Sequence, residues 1–277
     1  MTGISAVVAT YNRKDELKNL FDSLTQGDTS FLELIIVDQN EDGLIDDLIR
    51  HYSSVLDIKR LKFKERQNSK ARNFGAEKAR YPLICFPDDD CWFDKNSLSR
   101  VLAYFDNEPK TDMLIIRWNQ NPAFQLNSLP LTYKVISSFK APIGYAAITL
   151  FMKKEIFFDL GGFDIIFGIG SYIGGGEDTE LIFKIANAKK HIFYDHSIGV
   201  NHLYMPSRNR SLAIMRSRQR GIGLIYSKYK LSPLVIIRGM CSPLLKMIIS
   251  FNFDSIKLYY NILVGRLEGF FYRQKQV

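Results

Sequence analysis

A chain of 277 residues, 46% of them hydrophobic and 24% charged, is long and apolar enough for one large domain or a domain with an appendage. Its three cysteines, Cys85, Cys91 and Cys241, form neither a CxxC pair nor an even framework, which argues for a reducing compartment, and the N-terminus lacks the features of a signal peptide. The net charge of +8 belongs to the tail: from Ser207 to Val277 thirteen basic residues stand against two acidic ones, while the rest of the chain is slightly acidic.

The first hundred residues alternate strands and helices. Ile4 to Ala9 reads as a strand, and Lys14 to Thr25 carries Leu17, Leu20, Phe21 and Leu24 at helical spacing. Leu32 to Val37 is a nearly continuous apolar run ending at Asp38, the pattern of a strand buried on both faces. Leu44 to Tyr52 reads as a helix, Ile58 to Phe63 as a strand, Ser69 to Arg80 as a helix and Leu83 to Phe86 as a fourth strand. This order predicts an α/β fold with a mostly parallel sheet. Met113 to Trp118 and Ala146 to Lys153 look like further strands around a loop-rich stretch from Asn119 to Pro142. A glycine-punctuated region from Gly161 to Gly176 then leads into a helix from Leu181 to Ala188, followed by short strands at Ile192–Tyr194 and Ile198–Val200. Beyond residue 206 two apolar segments are interrupted by basic residues and prolines, with Arg238, Ser242 and Lys246 sharing one stripe and Asp254 as a helix N-cap. Neither segment reaches the roughly 18 to 20 uninterrupted apolar residues of a membrane-spanning helix. Basic, aromatic-rich amphipathic helices suit a membrane surface, with packing on the domain or a dimer interface as the alternative.

In open α/β sheets, ligands bind beyond the carboxyl ends of the strands. Three such ends carry polar residues: Thr10-Tyr11-Asn12-Arg13, Asp38-Gln39-Asn40 and Asp88-Asp89-Asp90. Three adjacent carboxylates repel one another unless a cation joins them, and a cluster of hard oxygen ligands suits a divalent metal; by itself the run also reads as an acidic turn. The first strand is followed by neither a GxGxxG turn nor a P-loop, which argues against a nicotinamide-binding unit and a Walker-type NTPase. The hydroxyl, aromatic ring, amide and guanidinium of Thr10 to Arg13 instead suit a nucleoside and its phosphates.

Taken together, these stretches resemble the family 2 glycosyltransferases of the GT-A fold. The resemblance covers roughly Ile4 to His202. It rests on Val7-Val8-Ala9-Thr10-Tyr11-Asn12-Arg13, Glu33-Leu34-Ile35-Ile36-Val37-Asp38, Ser69-Lys70-Ala71-Arg72-Asn73-Phe74-Gly75, Phe86-Pro87-Asp88-Asp89-Asp90, Gly161-Gly162-Phe163-Asp164 and Glu177-Asp178, in that order. It implies a Rossmann-like catalytic domain over residues 1–206, with a nucleotide-binding half (1–110) and an acceptor half (111–206), and a basic amphipathic tail over 207–277. It also implies a nucleotide-diphosphate-sugar donor, a divalent metal (Mn²⁺ or Mg²⁺) and inversion at the anomeric carbon. Thr10 and Tyr11 would line the nucleoside pocket, Asp38 would accept from the base, and Arg72 and Lys70 would approach the nucleotide. Asn12, Arg13, Asn68 and Asp89 complete the nucleotide set, although the loop Glu65-Arg66-Gln67-Asn68 lacks the glycine many relatives have there. Asp88-x-Asp90 corresponds to the DxD element, with Asp90 as first metal ligand, Asp88 nearer the ribose and His202 as a third ligand or a structural residue. Asp178 would be the general base, and its position also fits a helix N-terminus that favours acidic side chains. Gly175, Gly176 and Glu177 would border the acceptor, with Trp118 stacking on a sugar or, better, filling the core.

The resulting expectation is an inverting hexosyltransferase of surface-polysaccharide synthesis, using UDP through Asp38. It would act on a saccharide acceptor, lipid-linked at the inner face of the plasma membrane, without nucleic acid as a partner; oligomeric state is left open. Two other classes remain at this point. A sugar-phosphate nucleotidyltransferase would show a glycine-rich basic loop after the first strand, and a lipid- or nucleic-acid-binding module would act through the tail.

Overall fold

The computed structural model describes residues 3–41, 43–121, 127–139, 146–203 and 211–272. In chain order the elements are β1 (Ile4–Thr10), α1 (Lys14–Leu24), β2 (Leu32–Asp38), α2 (Asp46–Tyr52), β3 (Asp57–Lys62), α3 (Asn68–Ala76), β4 (Leu83–Cys85), β5 (Cys91–Phe93), α4 (Ser97–Asn107), β6 (Met113–Trp118), β7 (Leu129–Leu131) and α5 (Tyr133–Ser137). They continue as β8 (Leu150–Lys153), α6 (Lys154–Asp159), α7 (Glu177–Asn187), β9 (Ile192–His202), α8 (Leu212–Lys228), α9 (Pro233–Ile248) and α10 (Phe253–Phe270). The strands form a nine-stranded sheet in the order β3-β2-β1-β4-β8-β6-β9-β5, with β7 on β9.

Strand periodicity divides the core between the two sheet faces. Val7, Ile35 and Val37 belong to one buried cluster, while Ala6, Val8, Leu34 and Ile36 belong to the other. Every residue of β2 is buried, as expected for a strand covered on both faces. The apolar stripe of α1, Leu17, Leu20, Phe21 and Leu24, is wholly buried.

Strands β1 to β4 pair in parallel, whereas β8 runs antiparallel to both β4 and β6, so the sheet is mixed. Two reversals restore direction: β6 pairs with β9 in parallel, and their ends emerge at the same edge as those of β1, β2 and β4. The stretch read as a strand from Ala146 begins instead with a 3₁₀ turn, Ala147–Thr149. The two short strands read at 192–194 and 198–200 are one strand, whose register against β6 shifts between Ile116 and Arg117. Strand β5 and helix α4 had no counterpart in the sequence reading. The stretch from Asn119 to Pro142 contains β7 and α5, and residues 122–126 and 140–145 lie outside the described residues.

The tail folds as three helices. α8 and α10 meet where glycines remove side chains from the contact: a Cβ on Gly223 would lie 1.9 Å from the Arg266 carbonyl, and one on Gly269 1.9 Å from that of Arg220. Leu224, Ile225 and Tyr226 of α8 join the buried cluster on the sheet face that holds Val7, Ile35 and Val37, so this helix packs on the domain. Among the described residues no helix is long and apolar enough to cross a membrane.

Candidate active site

Because β2, β1 and β4 are neighbours, the three polar strand ends converge at one edge of the sheet. β5 then pairs antiparallel with β9 so that Cys91 faces His202, bringing the imidazole beside Asp90. Nε2 of His202 lies 2.9 Å from Asp90 Oδ1. Ligand atoms of Asp88, Asp90 and His202 all lie within 4.8 Å of one another. Two carboxylates and an imidazole form a donor set that fits a divalent ion such as Mn²⁺; Mg²⁺ would rely on the oxygens and added water.

Arg13 closes this cluster, donating to Asp89 at 3.0 Å and also to Asp90. Burial pushes the Asp89 carboxyl up to about 7 despite Arg13. Burial acts the same way on Asp90, yet His202 and Arg13 hold it below the usual carboxylate range. Burial would lower the His202 pKa, but the carboxylates of Asp90 and Asp88 raise it on balance.

Behind the aspartates sits Arg72, with only 3% of its side chain exposed. Its guanidinium donates to Asp88 Oδ1 at 2.6 Å and lies 3.5 Å from Glu177 and 3.6 Å from Asp178 Oδ1. Burial opposes its charge, and the three carboxylates restore it and raise its pKa. The position of Arg72 follows from how α3 is tied down. Ser69 Oγ donates to the Phe167 carbonyl at 2.8 Å, and the Asn73 side chain exchanges two hydrogen bonds with the Phe163 backbone. The Ser69–Gly75 and Gly161–Asp164 motifs are therefore two halves of one lock, and Arg72 is its internal face.

Asp178 lies in the first turn of α7, after Gly176 at φ 89°. Among the described residues its Oδ1 is buried without a hydrogen-bond donor. Burial, with Glu177 and Asp88 adding to it, pushes the carboxyl up to about 8 against the pull of Arg72. Two residues on, Glu180 is fully buried and is held by Lys228 of α8 at 2.6 Å and by the Tyr229 hydroxyl at 2.8 Å. A Cβ on Gly176 would sit 3.1 Å from Gly221 Cα, so α8 also presses on the turn that launches α7.

The nucleoside candidates form a second group. Thr10 is buried at the end of β1, the Asn12 amide donates to Asn40 Oδ1 at 2.7 Å, and the Arg66 guanidinium stacks 4.2 Å over the Tyr11 ring. Asp38 is fully buried. Its Oδ1 accepts from the Asn40 backbone and side chain, and its Oδ2 from Arg60 at 2.6 Å and Lys62 at 2.8 Å. Burial would raise its carboxyl, but the bonds from Lys62, Asn40 and Arg60 hold it below the usual range.

Other expected site residues bond elsewhere. Lys70 reaches Glu65 at 2.6 Å, and the Asn68 amide donates to the Ile169 carbonyl at 3.0 Å. Trp118 donates from its indole to the His202 carbonyl at 2.7 Å and sets its ring edge-on to the imidazole. Gly175 and Gly176 pack against Arg218 and Gly221 of α8, and Glu177 faces Arg72. Sequence reasoning did not single out Arg60, Lys62, Arg66 or Lys228. The alternation in Lys59-Arg60-Leu61-Lys62 carried a usable signal, because residues 60 and 62 must share one face of β3, next to β2 and Asp38.

Residues 5–167 match Glycosyl transferase family 2. An uncharacterized glycosyltransferase of Haemophilus influenzae is 27% identical over 191 residues, an alignment covering 66% of this chain and 61% of that relative's length. Among solved structures, S. aureus TarS 1-349 in complex with UDP-GlcNAc superposes with a TM-score of 0.63 at 16% identity, covering 99% of this chain and 94% of that one. The mannosyltransferase PcManGT of Pyrobaculum calidifontis, in complex with GDP-Man and Mn2+, gives 0.68 at 13% identity, covering 97% and 87%. These two likenesses speak to the fold, and they agree on a GT-A-like α/β architecture. The family match spans more than half of the chain, and the protein belongs to Glycosyl transferase family 2.

Proposed function

We propose that the protein is an inverting, metal-dependent hexosyltransferase that moves a sugar from a nucleotide diphosphate, UDP in the first instance, to a saccharide acceptor. The acceptor is lipid-linked, and the enzyme works peripherally at the inner face of the plasma membrane in surface-polysaccharide synthesis. Residues 1–206 form its catalytic domain, and 207–277 the tail that meets the membrane. The observation carrying this reading is the meeting of Asp88, Asp90 and His202 within 4.8 Å, joined through Arg72 to Asp178. The ligands bound in the two structural neighbours, UDP-GlcNAc in one and GDP-Man with Mn2+ in the other, support a nucleotide-sugar donor. Family membership favours sugar transfer over the nucleotidyltransferase alternative.

Asp88, Asp90 and His202 would hold Mn²⁺ or Mg²⁺, which when bound stabilises charge on the departing diphosphate. Asp178 Oδ1 takes the proton of the acceptor hydroxyl as that oxygen attacks the anomeric carbon opposite the leaving group. Arg72 keeps the carboxylates of Asp88 and Asp178 from repelling each other. Tyr11, backed by the Arg66 guanidinium, offers a face to the base. Asp38 accepts the base N–H and Lys62, shifting from Asp38, donates to a neighbouring carbonyl, an arrangement complementary to the edge of uracil.

Transfer from UDP-, dTDP- and GDP-hexoses, followed with and without EDTA, tests this reading. Turnover that survives both chelation and Asp90→Asn ends the metal assignment. Turnover that survives Asp178→Asn ends the assignment of the base.

A further inference from the structure

Helix α9 has two unlike sides. Gly239, Met240 and Pro243 turn inward, with Gly239 against the Tyr226 hydroxyl and Met240 on the core, and Arg266 donates to the Gly239 carbonyl. On the outside Leu234, Ile237, Cys241, Leu244, Leu245 and Ile248 fall on one stripe, about 100° wide at 3.6 residues per turn. All six are exposed, Leu234 to 80% and Ile248 to 72%. The stripe continues round the α9–α10 corner through Ile249, Phe251 and Phe253, and Phe251 is fully exposed. Isolated exposed leucines are ordinary, but a continuous apolar helix face ending in two phenylalanines calls for an occupant.

Charge identifies the occupant. Arg238, Ser242 and Lys246 border the apolar stripe along one side. At the corner, Lys257 lies 4.4 Å over the Phe253 ring and Lys246 5.5 Å over that of Tyr259. Among the described residues neither lysine meets a carboxylate. The two acidic residues of the tail do not cancel this charge: Glu268 is held by Arg216 and Arg220, leaving Asp254 against the flanking cations. An apolar stripe flanked by cations, on a helix of 16 residues that is too short to cross a bilayer, is the pattern of a helix lying in the interface of an anionic membrane.

We propose that the outer stripe of α9 and the Ile248–Phe253 corner form the membrane-docking surface of this enzyme, inserting into the headgroup region of an anionic bilayer. The proposal builds on the peripheral-membrane reading above and assigns it to particular residues. It also ties the bilayer to the acceptor side of the cleft. α8 packs Ser217 and Gly221 against Gly174 to Gly176 on one side and is joined to α10 by close glycine contacts on the other. A single helix, about 10 Å across, thus separates the docking hairpin from the loop leading to Asp178.

The test is co-sedimentation of the full chain with phosphatidylcholine vesicles, with and without phosphatidylglycerol. The wild type is expected to bind the anionic vesicles. A triple variant, Ile248→Ser with Phe251→Ser and Phe253→Ser, is expected to lose at least tenfold in affinity while keeping donor hydrolysis and transfer to a soluble saccharide. Lys246→Gln with Lys257→Gln should lower binding to anionic vesicles about tenfold and leave the weak binding to neutral ones unchanged. In a third arm, the fluorescence of Phe251→Trp should shift to the blue on vesicle addition. Equal vesicle binding by wild type and triple variant overturns the proposal, as does absence of binding by the wild type. A wild-type dimer in light scattering that the triple variant converts to monomer, without vesicle binding, assigns the surface to a second copy and also overturns it. Loss of donor hydrolysis in the wild type would instead count against the catalytic reading, so the two failures are distinguishable.

Discussion

Replacing Asp178 by Asn should make the protein more stable and nearly inactive at once. Largely but not wholly buried beside Glu177 and close to Asp88, the carboxyl of Asp178 is pushed from its ordinary 3.8 up to about 8, with Arg72 only partly compensating. Since the folded pKa lies above the unfolded one, the protonated group stabilises the fold fully below about pH 4. That stability is lost as pH rises from 4 to 8. At about 1.36 kcal/mol per pKa unit, keeping this carboxyl in the fold at pH 7 costs at most about 4 kcal/mol. Part of that cost is shared with Glu177 and Asp88, and the Asn amide must itself find a partner, so a gain of about 1–3 kcal/mol is expected. For a chain of this length each kcal/mol moves Tm by about 2–4 °C. Calorimetry at pH 5, 7 and 8 should therefore show the variant's advantage growing with pH. In the same preparations kcat should fall by about 10²- to 10⁴-fold, the range for a lost general base, whereas wild-type turnover rises with pH toward a plateau above about 8. A variant less stable than wild type at pH 7, or one whose turnover stays within tenfold, refutes the account of Asp178 as a base held under strain.

Asp90→Asn should abolish the rise in Tm produced by Mn²⁺ in the presence of UDP while lowering the metal-free Tm, since the pairs with Arg13 and His202 are lost, and a metal-dependent shift that persists in the variant counts against Asp90 as a ligand. Lys62→Ala should raise KM for the donor several-fold and weaken discrimination between uridine and cytidine diphosphates in competition assays. Because Arg60 still holds Asp38, its effect on stability should stay within about 1 kcal/mol. Lys228→Met leaves the buried Glu180 with Lys184 and Tyr229 alone and should cost about 2–4 kcal/mol in urea unfolding, with Lys228→Arg restoring most of it. An equal loss in both variants would mean that packing, not charge, sets the value of Lys228.

The parallel half of the fold was legible because each strand is short, apolar and followed by an amphipathic helix. The runs 4–9 and 32–37 each lie within one strand, and the four apolar positions of α1 all point into the core. Period alone could not show the reversal at β8, because an antiparallel strand buried on both faces has the same continuous apolar run as a parallel one. β5 escaped for a related reason: three residues, Cys91 to Phe93, are too few to carry a period, and pairing with β9 decides their state.

The same distinction separates the legible from the hidden parts of the site. Asp88, Asp90 and Asp178 could be picked out because carboxylates after an apolar strand or at a helix start carry a local pattern. The groups that set their electrostatics arrive from far along the chain. Arg72 reaches the carboxylates because Ser69 and Asn73 lock α3 to residues 163–167, a contact no local window contains. Asp38 showed its position but not its state. Read as a free acceptor for a base, it is instead saturated by Arg60, Lys62 and Asn40, all brought by register on the neighbouring strand or by the following turn. A base that binds there must therefore exchange with Lys62, the half-exposed member of the set, rather than enter an open position. Donor recognition then becomes a competition between two partners for one carboxylate oxygen. Its affinity should depend on the charge at residue 62 more steeply than on the aromatic face of Tyr11.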